Sequence, residues 1–171
     1  TGDAQGASVF DAQRNSRYGR DHGLPSDTVR CFGEDNTGGL WLSNWKGLFR
    51  LENERWVELR DDTNGPITEV ACFKSGPDTT LWMGTMNDGL VRRKDGKVAR
   101  IRVEHGLPVA SIRSILEDDA QYFWIGTGRG VLRIHRQELD NAADGLVKRL
   151  NYQLFDLSDG LPSVDCTAEA Q

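Results

Sequence analysis

At 171 residues, 27% charged and 37% hydrophobic with 19 glycines, the chain has the size and make-up of one soluble unit able to bury a core. Its formal net charge of −5 argues against nucleic acid as a partner, because phosphate binding needs a basic face. No run approaches the roughly 18 continuous apolar residues of a membrane span. The chain opens at Thr1-Gly2-Asp3 with neither a methionine nor an apolar leader, so its natural beginning is expected upstream.

The first strand-like run ends near Tyr18, and from residue 21 the chain repeats itself. Gly-Leu-Pro-type turns anchor at Pro25, Pro66, Pro108 and Pro162, with gaps of 41, 42 and 54 residues. Sixteen residues after the first three anchors stand Trp41, Trp82 and Trp124. Seven residues before all four stand Tyr18, Leu59, Ile101 and Phe155, and four after them Val29, Val70, Ile112 and Cys166. Agreement at three offsets marks an internal repeat, which has to be recognised before the fold can be read.

Taken in order, residues 1–20 predict an outer strand. Residues 21–61 then give four short strand candidates, "TVRCFGED", "LWLSN", "GLFRL" and "RWVEL". Residues 62–103 repeat them as "TEVACFKS", "LWMGT", "GLVRR" and "KVARI", and 104–157 as "SIRSILED", "FWIGT", "GVLRI" and "LNYQLF". Turn signals such as "NTGG", "GPDTT" and "KDGK" separate them. The third unit carries a 12-residue insertion around "HRQELDNAADG", whose Ala, Leu and Glu content before Gly145 predicts one or two helical turns between its third and fourth strands. Residues 158–171 predict an inner strand around Val164 to Ala168.

Four short strands in about 42 residues is the spacing of one propeller blade. The expected fold class is therefore an all-β propeller arc: three complete four-stranded blades, flanked by strands from adjacent blades. Poor helical periodicity excludes an all-α solenoid. Closed propellers have about four to eight blades, and residues 9–18 and 163–168 cannot pair into a finished fourth. An arc excised from a larger ring is expected, its end faces open to the remaining blades or to self-association.

The repeating tryptophans read as packing between blades, one large filler per unit. Trp45 breaks the pattern, standing in the loop between second and third strands where the other units have "TMND" and "TGRG". A period-two reading puts Cys31, Cys72 and Cys166 on one face of the innermost strands as free thiols, since facing sheets lie about 10 Å apart and a disulfide needs Cα atoms within about 7 Å. His22 and His105 precede Gly-Leu-Pro, with Asn64 and Asp159 at the matching positions. Residues of these types cap turns; a metal site would need both histidines to converge with a third ligand, and His135 lies at the far end of a third strand. Neither a nucleophile elbow, a dinucleotide fingerprint nor a paired Cys-x-x-Cys occurs, so no catalytic residue, metal or cofactor is assigned.

If strands alternate direction within a blade, the loop before the first strand and the loop between second and third share one face of the ring. That face carries His22, Ser26, His105, Trp45, Lys46, Met86, Asn87, Asp88 and Arg129. Its chemistry varies on a constant frame, as a recognition surface does and as drift on a solvent surface also does. Arg30 and Arg113, in register on the innermost strands, line the channel and attract an anion, or else cap groups of a neighbouring blade.

"HGLPSDTVRCFGEDNTGGLWLSNWKGLFRL" and "HGLPVASIRSILEDDAQYFWIGTGRGVLRI" resemble the two-component regulator propeller repeat (Reg_prop): a Gly-Leu-Pro turn, a strand, an acidic turn, Trp-hydrophobic-Gly-Thr, and Gly-Leu-aromatic. The resemblance covers roughly residues 18 to 166. Ser43-Asn44 stands where Gly-Thr is usual, and the second unit lacks the Leu before Pro66 and has Gly76 for the acidic residue. The resemblance implies a non-catalytic sensing segment of a transmembrane signalling protein such as a hybrid histidine kinase. It would lie on the periplasmic or extracellular side and respond to a small-molecule or carbohydrate ligand. Two other classes remain open, a propeller-type polysaccharide lyase or hydrolase and a protein-binding scaffold; the former would need a convergent acid and base, the latter an extended apolar patch.

Overall fold

The computed structural model describes residues 2–3, 6–10, 15–25, 28–61, 65–76 and 78–166. Three short strands, β1 (Gly2–Asp3), β2 (Gly6–Phe10) and β3 (Asn15–Tyr18), pair in that order where a single outer strand is expected. Blade 1 follows with β4 (Cys31–Glu34), β5 (Leu40–Asn44), β6 (Gly47–Glu52) and β7 (Arg55–Glu58). Blade 2 is built from β8 (Val70–Ser75), β9 (Leu81–Thr85), β10 (Leu90–Lys94) and β11 (Lys97–Ile101). Blade 3 has β12 (Ile112–Glu117), β13 (Tyr122–Thr127) and β14 (Gly130–His135), then helix α1 (Arg136–Ala143) and β15 (Gln153–Phe155). Each blade is a four-stranded antiparallel meander in sequence order, so the molecule is a partial all-β propeller. Among the described residues no helix is long and apolar enough to cross a membrane.

The core lies between blades. Trp41 and Leu48 of blade 1 bury against Ile67, Val70, Met83 and Val91 of blade 2. In the next junction Trp82, Leu90 and Ile101 meet Ile112, Phe123, Ile125 and Leu132. A third cluster joins Tyr18 to Leu24, Leu42, Phe49 and Trp56. Both faces of a blade are therefore apolar at alternate positions, which is why the second strands read as near-continuous hydrophobic runs. Helix α1 forms where the insertion predicts it, capped by the His135 side chain, which accepts from the Gln137 N–H. Leu139 anchors it in the blade 2–3 core.

The repeat tryptophans of blades 1 and 3 are held by a polar clamp. The Trp41 indole N–H donates to Asp35 Oδ2 at 2.8 Å, and Asp35 Oδ1 accepts from the Thr37 and Gly39 amides at 2.9 and 2.8 Å. The pattern recurs in blade 3, where Trp124 donates to Asp118 at 2.8 Å and the Ala120 and Tyr122 amides donate to its other oxygen. One carboxylate thus closes the acidic turn and fixes the ring. In blade 2, Gly76 occupies that position, and the buried Trp82 indole N–H has no hydrogen-bond partner. Across from each tryptophan, in register, stands an arginine: Arg50, Arg92 and Arg133. Their guanidinium carbons lie 5.6, 5.9 and 5.4 Å from the indole centroids.

The departures from the motif have local causes. A Cβ on Gly84 would come within 2.5 Å of Ile112, and one on Gly126 within 2.7 Å of the Cys166 carbonyl, so the following inner segment needs glycine there. Ser43 fills the equivalent place by bonding instead, its hydroxyl donating to Val70 O at 2.8 Å and lying 3.0 Å from Cys31 Sγ. The chain around Cys166 occupies the seat of a next inner strand, with its amide donating to Thr127 O at 3.3 Å. Residues 163–166 form no strand in this structure, and residues 167 and 168 of the expected inner strand lie outside the described residues.

The shared face expected for the three cysteines is not observed. Register shifts between Val70 and Cys72 and between Ile112 and Ser114 make Ala71 and Arg113 bulge residues. A bulge inverts the period-two alternation. Cys31 and Cys72 consequently pack toward the following blade, whereas Cys166, at the Val70 position, turns back onto Gly126 of blade 3.

Burial opposes ionisation of Asp35, but hydrogen bonds from Thr37, Trp41 and Gly39 outweigh it and hold the carboxyl at about 2 against an ordinary 3.8. Its contribution to stability is therefore complete above pH 3.8 and is lost as pH falls toward 2. Replacing Asp35 by Ala should lower the unfolding free energy at pH 7 by about 1–3 kcal/mol, read by urea denaturation, and should flatten the acid limb of the wild-type stability curve.

Candidate functional site

The structure brings two of the sequence-predicted residues into contact. Arg30 enters blade 1 just before β4, its amide donating to Ser43 O at 2.9 Å. Trp45 sits at the tip of the β5–β6 turn. Asn44 fixes that turn, its side-chain oxygen accepting from the Lys46 and Gly47 amides at 2.8 and 3.2 Å. The Arg30 guanidinium carbon lies 4.0 Å from the Trp45 ring centroid, within cation–π range. Trp45 remains 57% exposed, whereas Trp41 is 4% exposed. Of these two tryptophans, Trp45 is the one that can present a ring to a ligand. Arg30 Nη1 is buried without a hydrogen-bond partner, leaving donor capacity unused beside that ring.

Arg30 also borders a groove of about 410 Å³ along the inner strands of all three blades, with Glu34, Lys74 and Arg113 among its charged groups and the exposed Phe32 and Leu116 among its apolar ones. Arg113 is not a free channel cation, because it is ion-paired with Asp165. Lys74 donates to Ser75 O at 3.1 Å.

The remaining candidates are spread over the same edge. Asn87 donates to Glu69 Oε2 at 2.5 Å, which ties the β9–β10 turn to the segment entering β8 and places both loop types on one face. Asp88 pairs with Arg100 at 3.0 Å and with Arg102, so it is a brace. Lys46 and Arg129 are exposed; the Arg129 amide donates to Thr127 Oγ1 at 3.0 Å. His22 Nδ1 accepts from the Gly19 amide at 3.3 Å, and His105 Nδ1 from the Arg102 amide at 3.0 Å. Asp159 does the same for Asp156 at 3.0 Å. These three residues close the tight turn ahead of each Gly-Leu-Pro anchor, whose glycines Gly23, Gly106 and Gly160 lie at φ 94°, 91° and 92°. Ser26 and Asn64 lie outside the described residues. Among the described residues no group of three or more His, Cys, Asp or Glu side chains could hold a metal ion.

Sequence reasoning missed the repeat arginines. Their spacing from the tryptophan is nine residues in blades 1 and 3 and ten in blade 2. The longer β9–β10 turn hides the equivalence until the strands are paired.

The sequence profile described as "Two component regulator propeller" matches residues 23–46 and 106–129, the Gly-Leu-Pro to Trp segments of blades 1 and 3. Two segments of the chain thus match the two-component regulator propeller repeat. No curated protein matches the chain. Among solved structures, this propeller is similar to the extracellular domain of a hybrid two component system protein from B. thetaiotaomicron, with TM-score 0.69 and 18% identity, covering 93% of this chain and 21% of that one. A second such extracellular domain from B. thetaiotaomicron gives TM-score 0.66 and 19% identity over 90% of this chain and 19% of that one. Virginiamycin B lyase from Staphylococcus aureus gives TM-score 0.60 and 16% identity over 90% and 49%. At these identities the likeness is one of fold. The propeller spans about a fifth of the length of the two B. thetaiotaomicron domains.

Burial raises the Cys31 thiol above its ordinary value and, with Cys31 beside it, lifts Cys72 to about 12. The nucleophile is the thiolate. Against an ordinary value of 9.0, Cys72 should be alkylated by iodoacetamide at pH 8 at least about tenfold more slowly in the folded chain than after unfolding, as read by peptide mapping; comparable rates would show that the inner strand opens freely.

Proposed function

We propose that the chain is a non-catalytic, ligand-sensing segment of a propeller on the extracytoplasmic side of a signal-transduction protein. On this reading Trp45 and Arg30 form the centre of its ligand contact, with Lys46, Arg113, Arg129, Asn87, His22 and His105 on the surrounding face. The family repeats and the extracellular two-component neighbours support the signalling context. The observation that carries the site is the exposed Trp45 ring stacked on a guanidinium with an unused donor. An aromatic face beside a cation suits a ring-shaped, hydroxylated or anionic ligand, because the ring covers its apolar face while the cation takes an oxygen. A ligand seated there would join the β5–β6 turn to the inner groove, so its binding energy would act on the relative position of blades 1 and 2.

The likeness to virginiamycin B lyase favours a second reading, an enzyme built on the same architecture. Turnover of a streptogramin B or of a polysaccharide by this chain would establish it, and the absence of both would count against it.

A screen of glycans and metabolites should give at least one compound that raises the melting temperature of the chain or of its complete ring. For that compound, Trp45→Ala and Arg30→Ala should each weaken binding about tenfold or more by calorimetry. Affinity unchanged in both variants, or a screen without a hit, would overturn the assignment.

A further inference from the structure

The three Trp–Arg pairs are equivalent by register but not in what else the arginine meets. Arg50 lies 3.6 Å from Asp35 and 3.5 Å from Glu52. Arg92 is clamped between two carboxylates of helix α1, Asp140 at 2.9 Å and Asp144. Arg133 is different. Among the described residues it forms no ion pair, and its Nη1 donates to the neutral Gln153 Oε1 at 3.1 Å; its Nε is buried without a partner, as are those of Arg50 and Arg92. The Asp118 carboxylate feels the Arg133 charge but is already committed to the Trp124 indole and two backbone amides. The guanidinium carbon lies 3.6 Å from the Tyr122 ring centroid, so the fork is held in place without being neutralised.

Arg133 borders a cleft of about 270 Å³ between the outer strands of blade 3 and α1. The other walls supply polar groups of known state. His135 Nδ1 accepts from the Gln137 amide at 3.2 Å, which leaves the proton of the neutral ring on Nε2 as a donor. Glu138 Oε1 accepts from the Asn151 amide at 2.9 Å, which fixes the carboxylate against the cleft. The Asn151 side chain adds an amide on the same wall.

We propose that this cleft binds a small hydroxy-carboxylate of about monosaccharide size. Its carboxylate would take the place on Arg133 that Asp140 and Asp144 take on Arg92, since a planar guanidinium matches a carboxylate edge. Its hydroxyls would donate to Glu138 and accept from His135 and Asn151. Glu138 repels a second carboxylate at the far wall, which selects a mono-acid. The volume excludes an oligomer from the cleft itself. The inference does not rest on the Arg30–Trp45 site, which belongs to another blade.

The test uses D-glucuronate as probe, with D-glucose and acetate as controls, on the 171-residue chain. Saturating glucuronate should raise the melting temperature by roughly 2–4 °C, while glucose and acetate at equal concentration should not. Arg133→Lys keeps the charge but loses the fork and should weaken binding at least about tenfold; Asn151→Ala, on the exposed wall, should weaken it severalfold with an unchanged melting temperature. Arg30→Ala should leave it intact. Absence of a glucuronate shift, an equal response to acetate, or full affinity in both Arg133→Lys and Asn151→Ala would overturn the proposal. Should Arg133→Lys fail to fold, the Asn151→Ala result decides alone.

Discussion

A tryptophan on the second strand of each blade faces the next blade, and its indole N–H must find an acceptor in a place where water is scarce. Asp35 and Asp118 provide one from the turn six residues upstream, so a single carboxylate serves both turn and ring. The same ring carries an arginine in register on the third strand. In blades 1 and 3 the result is a layered clamp of carboxylate, indole and guanidinium. Trp41 shares a buried cluster with Leu48 and Val91, and Trp82 shares one with Leu90 and Ile112. Blade 2 shows what happens without the carboxylate: Gly76 leaves the Trp82 N–H unpartnered, and Arg92 finds its anions on helix α1 instead.

Close approach is the second constraint. The inner strand of each blade runs against the end of the second strand of the blade before it, where only glycine or a bonded serine fits. The bulges at Ala71 and Arg113 shift the register of the inner strand against the second strand of its own blade. They also set where arginine side chains enter the groove, which links the packing of the ring to the chemistry of its inner face.

Much of the architecture was legible in the sequence because it is local or periodic. The strands of blades 1 to 3, the tight turns before each anchor proline, the packing role of Trp41 and Trp82 and the helix in the insertion all follow from spacing, turn residues and composition. What stayed hidden depends on pairing. A one-residue bulge changes no composition, yet it turns Cys166 to the opposite face from Cys31 and Cys72. The Arg50, Arg92 and Arg133 set was masked by one extra residue in a turn. At the candidate site, Arg30 and Trp45 could each be singled out, but their stacking could not, since it requires knowing that the start of β4 and the β5–β6 turn emerge side by side. Sequence left Arg113 between a channel cation and a cap on a neighbouring blade, because its partner, Asp165, lies 52 residues further on; the ion pair fits the cap.

The helix α1 reaches across a blade boundary, placing Asp140 and Asp144 on Arg92 while Leu139 sits in the shared core. Blades 2 and 3 are thereby joined by an inserted helix, whereas blades 1 and 2 are joined by the Arg100–Asp61 ion pair at 2.6 Å and by the Asn36 amide, which donates to Ser75 Oγ at 3.2 Å. The two seams are thus fastened by different means, one by a segment that sequence has inserted between strands and the other by side chains of the repeat itself.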